Sequence, residues 1–504
     1  MVFDDLTPEA CYQAMKSHDV RFDGHFFVGV RSTRIYCRPI CRVRLPKQAN
    51  CSFHRNAAAA EVAGFRPCLR CRPELAPGVG ASEASSTLAR SAAQMIEDSV
   101  AGRLNVADIA RRIGITDRHL RRIFTREFGV SPVQFAQTQR LLLAKRLLSD
   151  TSLPVAEVAT SSGFSSIRRM NALFAERYQF SPTRLRQSTK PDRAPLGTAK
   201  SESNRRRSNA PMTQSASGAG SMRFLLPYRP PFDFTSLLAF LRDRAIPGIE
   251  SVEEQCYRRT VPMEQSGWIE VRHCPARNAL ELRCDAAFAG VTQSLLSRTK
   301  QAFDLGADSI DIDAVLGPMA ATSPGMRLPG TFDPFELAVR AILGQQVTVK
   351  AARTLATRFV AALGTPISTP FADLNRVFPR VAHIASLNPT AIAALGIVRQ
   401  RAEAIVALAA AIAAGAIDFR PTAEPTQTIE RLCQIRGIGP WTAHYIAMRA
   451  LAWPDAWLPN DIALQHALGL PNTAAGARTA QALADAWRPW RSYAVLHLWR
   501  GPLQ

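Results

Sequence analysis

Between residues 82 and 186, apolar residues recur at spacings of three and four, as in Ile109 and Ile113, or Leu120, Ile123 and Phe124. That period predicts helices throughout the segment. Past residue 222 the pattern changes. Trp268-Ile269-Glu270-Val271-Arg272 and Ala279-Leu280-Glu281-Leu282-Arg283 alternate apolar and polar side chains, which predicts strands within a mixed segment 223–320. From 333 to 500 the helical spacing returns, rich in Ala and Leu. Two stretches carry no apolar period. Ala76-Pro77-Gly78-Val79-Gly80-Ala81-Ser82 reads as a short break, and residues 187–221, rich in Ser, Ala, Pro, Gly and Arg, read as a flexible linker. Arg205-Arg206-Arg207 in that linker reads as a solvated charge run, with phosphate contact as the alternative. Dividing 504 residues by about 150 per domain gives three or four domains. The pattern itself divides the chain more finely, into 1–78, 82–186, 187–221, 222–320 and 321–504.

Composition then narrows the class. A hydrophobic fraction of 47% with 20% charged residues excludes a wholly disordered chain. No apolar run approaches the roughly 18 residues of a membrane span, and Met1-Val2-Phe3-Asp4-Asp5 has neither the basic nor the apolar part of a secretory signal. The expectation is a soluble, cytoplasmic protein. Its net charge of +21 and pI near 10.3 favour a polyanionic partner, nucleic acid first and an acidic membrane surface second. Most of that positive charge lies at or before Ser221, whereas every tryptophan lies at or beyond Trp268. So uneven a distribution suggests fused modules.

Six of the ten cysteines, Cys11, Cys37, Cys41, Cys51, Cys68 and Cys71, cluster at the N-terminal end of the chain. A cytosolic protein has little use for them as disulfides. Cys37-Arg38-Pro39-Ile40-Cys41 and Cys68-Leu69-Arg70-Cys71 form two knuckles, with the segment Arg42–Pro67 between them. Such a ligand set suits one tetrahedral zinc ion. Either knuckle alone would read as buried or incidental cysteines. Cys11 and Cys51 receive no role. The segments Phe26–Arg42 and Ala63–Cys71 closely resemble the N-terminal methyl-phosphotriester-accepting domain of the Ada family, over roughly residues 5–75. The resemblance implies that Cys37 takes a methyl group irreversibly from a methylated DNA phosphate, with Cys41, Cys68 and Cys71 as the remaining ligands. Loss of one negative charge beside DNA should then raise affinity. Arg44 and Arg66 are candidate phosphate contacts, with ordinary surface arginines as the alternative.

A repeat occupies the next segment. Ala110-x3-Gly114 and Ala159-x3-Gly163 each place a small residue and a turn glycine where two helices meet. Phe124 and Phe174, Phe128 and Tyr178, and Ser131-Pro132 and Ser181-Pro182 recur at a spacing of 50. Two helix-turn-helix units account for this, and residues 88–186 resemble the AraC-type DNA-binding domain. The recognition helices would carry Arg118, His119, Arg121 and Arg122, then Ser165, Ser166, Arg168, Arg169 and Asn171. Such side chains can read base edges in the major groove, although basic helix faces are often only solvated.

In the last segment, Ile435-Arg436-Gly437-Ile438-Gly439-Pro440-Trp441-Thr442-Ala443 is a G-x-G hairpin opening a helix, and Leu458-Pro459-Asn460-Asp461 follows. Glycines there allow close backbone approach to phosphate. Asp461 alone would read as a helix cap. Residues 223–500 resemble the helix-hairpin-helix DNA glycosylases of the 3-methyladenine DNA glycosylase II (AlkA) type, with landmarks Arg327–Gly330, Asp333–Glu336, Val339–Val347 and Trp487–Ala494. The resemblance implies that Asp461 is the catalytic carboxylate, that Trp441, Tyr445 and Trp499 line a base pocket, and that Gly437, Gly439, Thr442, Gln345 and Gln346 meet DNA. Cationic alkylated purines suit electron-rich rings, once flipped from the stack. Asp461 would stabilise the oxocarbenium-like sugar. Bifunctional relatives carry a lysine nucleophile near the position of Trp441, so hydrolysis without strand cleavage is implied. Cys433 is the only cysteine after Cys284, which excludes an iron–sulfur cluster. A monovalent cation at the hairpin is a further expectation. AlkA-type enzymes carry an apolar wedge just after the Gly-Gln of this segment, where this chain has Gln346.

The implied architecture is therefore a small α/β zinc domain, an all-α double helix-turn-helix, an α+β subdomain and an all-α helix-hairpin-helix catalytic domain. Expected partners are alkylated DNA, promoter DNA and, on activation, RNA polymerase, for a monomer working at the nucleoid. The implied function joins methyl-phosphotriester sensing and transcription control to excision of alkylated bases. A regulator with an inactive glycosylase-like module is the alternative; Asp461 favours the first. His273-Cys274-Pro275 does not match the O6-methylguanine acceptor segment of some Ada proteins, so that repair is not expected.

Overall fold

The computed structural model describes residues 6–77, 87–98, 105–188, 220–420 and 423–501. The N-terminal pentapeptide, most of the short break and nearly all of the linker, including Arg205-Arg206-Arg207, lie outside the described residues.

The head is a four-stranded sheet of β1 (Phe27–Val30), β2 (Ile35–Cys37), β3 (Cys51–His54) and β4 (Arg66–Pro67), in the order β3-β1-β2-β4. Its last pair, β2 with β4, is parallel, Ile35 opposite Arg66 and Tyr36 opposite Pro67. Helix Pro8–Lys16, capped by the Thr7 side chain, lays Cys11, Ala14 and Met15 against Phe26, Val28 and Cys51. Cys11 and Cys51 are thus core residues of the head. A side chain at Gly29 would meet the Phe65 ring at 2.8 Å, so glycine is what lets that ring lie on the sheet.

Helices Val106–Arg112 with Asp117–Phe128, and Val155–Ser161 with Ile167–Tyr178, form the two helix-turn-helix pairs. Gly114 and Gly163 turn both corners at φ +74°, a conformation that favours glycine. The long helix Pro132–Asp150 joins the units and opens on a capping box of Ser131 and Gln134. The prediction of helices across the described part of 82–186 therefore holds.

The mixed segment supplies a five-stranded antiparallel sheet of β5 (Ser221–Pro227), β6 (Glu250–Glu253), β7 (Cys256–Val261), β8 (Gly267–Cys274) and β9 (Ala279–Asp285), ordered β5-β9-β8-β7-β6. Strand β8 does not alternate in burial as its sequence does. Trp268 through Val271 are all buried, because Glu270 is neutralised by Arg258 and Arg272 at 2.6 and 3.1 Å. The rest is helical, apart from a short antiparallel pair, Thr365–Pro366 with Arg376–Val377, that helical spacing did not predict.

The segments meet in tight seams. One continuous apolar core holds Leu147, Phe174 and Tyr178 of the double helix-turn-helix together with Phe224, Ile269 and Phe288 of the sheet region. Between head and helix-turn-helix, the buried Glu61 carboxylate accepts from Tyr36 at 3.2 Å, Tyr178 at 3.1 Å and Thr138 at 2.8 Å. Burial pushes its carboxyl up to about 7 against the pull of those hydroxyls. Between head and sheet region the seam is polar: Arg229 donates to the Asp23 carbonyl at 3.1 Å and to Gly306 at 2.9 Å, and His25 faces Asp308 at 3.4 Å.

A thiolate cluster and an aromatic cleft

The parallel pairing of β2 with β4 brings the two cysteine knuckles together. Cys37 ends β2, and the Cys68 amide donates to the Tyr36 carbonyl at 3.0 Å. A turn from Arg38 to Cys41 and another from Cys68 to Arg72 return the second cysteine of each knuckle. The four sulfurs lie within 4.8 Å of one another. Zinc–sulfur bonds of about 2.3 Å in a tetrahedron require sulfurs about 3.8 Å apart, so the donors fit one zinc ion. The Arg38 amide donates to Cys71 Sγ at 3.4 Å, which eases the charge of four thiolates. The Arg38 side chain is also buried: it donates to the Cys71 carbonyl at 3.1 Å and ion-pairs with Asp23. Around the cluster Arg42, Arg44 and Arg70 are exposed and Arg66 is half-buried.

On the second helix of each pair, Asp117–Phe128 and Ile167–Tyr178, Arg118, Arg121, Arg122, Arg168 and Arg169 are exposed. Arg121 is held by Asp117 at 3.0 Å and Arg122 by His119 at 3.1 Å. Ser166 is the cap of its helix, accepting from the Arg169 amide at 3.1 Å, and Ser165 precedes it.

The C-terminal half holds a cleft of about 1570 Å³ lined by Phe240, Arg244, Trp441, Tyr445, Asp461 and Trp499, among others. Trp441 and Tyr445 stand one turn apart on helix Pro440–Ala450, so their rings stack, 5.4 Å between centroids and 7° from parallel. Trp499 lies 6.2 Å from Tyr445. Arg449, the next turn on, donates to the Tyr445 hydroxyl at 2.6 Å and to the carbonyls of Pro329 and Gly330 at 2.7 and 3.2 Å. Burial opposes ionisation of the Tyr445 phenol, yet Arg449 and Arg244 hold it below its ordinary value. Asp461 does cap helix Ile462–Ala467, through Oδ1 and the Leu464 amide at 2.9 Å. Its Oδ2 accepts from Trp441 Nε1 at 2.8 Å. Capping thus engages one oxygen of this carboxylate and leaves the other bonded to a ring of the cleft.

The hairpin beside the cleft is braced by two of the residues expected to meet DNA. Thr442 is buried, and Gln345 turns its amide inward, donating to the Gly437 carbonyl at 2.8 Å and to Thr442 Oγ1 at 3.0 Å. These two side chains brace the hairpin because a reversing chain needs its carbonyl satisfied. Gly437 is half-buried, and Gly439 and Gln346 are exposed. Gly437 takes φ +94°. At Gly439 φ is −90° and an added side chain would meet nothing within 4 Å. Gln346 is exposed at φ +53°.

Comparison with known proteins agrees with this division. The sequence matches the metal-binding domain of Ada over residues 10–74, a helix-turn-helix domain over 109–188, the AlkA N-terminal domain over 223–333, and the HhH-GPD superfamily of base excision DNA repair proteins over 339–492. A "probable bifunctional transcriptional activator/DNA repair enzyme AlkA" of Mycobacterium tuberculosis is 36% identical over 502 residues, 97% of this chain and 96% of that one. The chain belongs to that family. Within this bifunctional AlkA family the two halves have separate counterparts in Escherichia coli. DNA-3-methyladenine glycosylase 2 is 34% identical across 55% of this chain and 96% of its own length; the bifunctional activator and repair enzyme Ada is 35% identical across 31% of this chain and 42% of its own. The regulator-plus-glycosylase organisation, the DNA partner and the single zinc site read from sequence all stand.

Phe240, Arg244 and Arg449 are cleft residues that sequence reasoning missed. Phe240 and Arg244 lie on helix Phe234–Arg244, far upstream of Trp441, and stack on each other at 3.7 Å. Nothing in the local pattern of either residue marks it for a site.

Proposed function

We propose that this chain senses methyl-phosphotriesters in DNA through Cys37 and excises alkylated purines through Asp461, with the boundaries 1–78, 82–186, 187–221, 222–320 and 321–504 separating the parts. Cys37 Sγ attacks the methyl carbon of the phosphotriester. The sulfur–carbon bond forms as the carbon–oxygen bond breaks, and the phosphodiester anion leaves. Cys37, Cys41, Cys68 and Cys71 hold the zinc ion, which keeps the attacking sulfur a thiolate at neutral pH. Arg44 and Arg66 hold the DNA phosphates, while Arg118, Arg121, Arg122, Arg168 and Arg169 read promoter DNA. Conversion of thiolate to thioether removes a negative charge facing DNA and strengthens promoter binding; the methylated form then recruits RNA polymerase.

In the other half a damaged nucleotide leaves the stack and its base enters the aromatic cleft. Trp441, Tyr445 and Trp499 favour a cationic base by about 0.5–2 kcal/mol each. Asp461 stabilises positive charge on the sugar as the N-glycosidic bond breaks. The base departs with the bonding electrons, and water adds to the sugar to leave an abasic site. Gly437, Gly439 and Gln346 meet the DNA backbone and the gap left in the stack. The protein acts as a monomer at the nucleoid.

The observation that carries this reading is Asp461 itself, a carboxylate at the cleft wall bonded to a pocket ring. Base release from alkylated DNA tests it: the protein should liberate methylated purines and Asp461→Asn should not. Equal release by the variant would refute the role given to Asp461; release by neither protein would leave a regulator with an inert glycosylase-like module. For the head, mass spectrometry should find S-methylation at Cys37 after incubation with methyl-phosphotriester DNA.

A further inference from the structure

Asp461 has both carboxylate oxygens engaged. The Leu464 amide fixes Oδ1, as in any helix cap. That bond leaves rotation about the Cβ–Cγ axis to be settled at Oδ2. The group that settles it is the indole N–H of Trp441, at 2.8 Å. The indole comes from a different helix, Pro440–Ala450, which precedes the one that Asp461 caps. It is not a mobile donor. Its ring is stacked on Tyr445, whose hydroxyl is held by Arg449, and Arg449 is held in turn by two backbone carbonyls. A rigid run of contacts therefore connects the backbone at Pro329 and Gly330 to Oδ2 of Asp461.

We propose that Trp441 is a positioning residue for Asp461 as well as a wall of the cleft: its indole N–H aims the carboxylate at the sugar carbon that gains positive charge. The inference rests on the role given to Asp461 above and adds a second duty to Trp441. A carboxylate acting through space on a developing cation is effective only when its orientation is set before the charge appears. A hydrogen bond to an ionised group is short and directional enough to set it. The same ring touches the flipped base, so occupancy of the cleft and the aim of the carboxylate are mechanically joined. A phenylalanine in this place would keep the wall and lose the aim.

The test replaces only the N–H. Incorporation of 3-benzothienylalanine at position 441 substitutes sulfur for the indole nitrogen in a ring of nearly the same shape; Trp441→Phe is the genetically simple second variant. Single-turnover and steady-state base release from alkylated DNA are measured for both, with Asp461→Asn alongside. Loss of a hydrogen bond to a charged group predicts a kcat lower by roughly 10- to 100-fold, with KM within about twofold for the benzothienyl protein. An unchanged kcat would overturn the proposal. So would a loss confined to KM, which would make Trp441 a wall alone. If Asp461→Asn retained full turnover, the reading of the carboxylate would fail first and the proposal with it. If Asp461→Asn is inactive and the benzothienyl protein is normal, only the proposal fails.

Discussion

The two centres solve opposite problems with opposite constructions. The thiolate cluster takes all four ligands from the single stretch Cys37–Cys71, on two turns anchored to one parallel strand pair. The aromatic cleft gathers Phe240, Trp441, Tyr445, Asp461 and Trp499 from across the whole catalytic half. On the function proposed above, the reacting atom of the first is part of the protein and is consumed, whereas in the second the protein supplies shape and charge and is returned unchanged. A nucleophile used once needs a short local frame and a cation to hold it ionised. A site that must admit, orient and release many bases needs walls from several elements, each braced from behind, as Arg449 braces Tyr445.

Removing one centre and measuring the other tests this contrast most severely. Cys37→Ala should abolish methyl uptake outright, measured as label transferred from methyl-phosphotriester DNA, while base release persists. Asp461→Asn should lower base release by about 10²- to 10³-fold, the scale of a lost electrostatic stabiliser, while Cys37 is methylated to the same extent. If either substitution silenced both activities, the centres would not be independent.

Two finer tests address the seams that join them. Glu61 is held at about 7 in the folded protein against an ordinary 4.5. Below the lower value both states are protonated and stability is full. As pH rises from 4.5 to 7 the unfolded chain ionises first, so stability falls by about 3 kcal/mol and then levels. Glu61→Gln should flatten that slope in denaturant titrations across the same range; an unchanged slope would place the pH dependence elsewhere. Arg229→Met removes donors to the Asp23 and Gly306 carbonyls. It should loosen the head by about 1–2 kcal/mol, read as faster hydrogen exchange around Asp23, with both activities retained.

Legibility followed the same division. The cysteine knuckles were readable because each pair of ligands is closely spaced, and the helix-turn-helix repeat because its signposts recur at a fixed interval. The strands of the mixed segment were visible in their alternation, although partnered charge buried both faces of β8. Asp461, Trp441, Tyr445 and Trp499 came through resemblance to a family, not through any periodicity. Phe240, Arg244 and Arg449 did not come at all: a helix that contributes one ring to a distant cleft looks like any amphipathic helix. The bond from the Gln345 amide to the Gly437 carbonyl was not legible either, because it forms only when the hairpin folds against the preceding helix. The seams were equally silent, since Glu61 meets Tyr178 and Thr138, and Arg229 meets the Asp23 carbonyl, only when separate segments dock.

Those seams differ in material, and heating should reveal it. Where the helix-turn-helix meets the sheet region, a shared apolar core is buried; parting them would expose oily surface and raise the heat capacity. Where the head meets the sheet region, the contacts are guanidinium to carbonyl and imidazole to carboxylate. Opening that joint exposes polar surface, whose hydration lowers the heat capacity. A calorimetric trace should therefore distinguish the two separations by the sign of their baseline step, without any probe attached to the molecule.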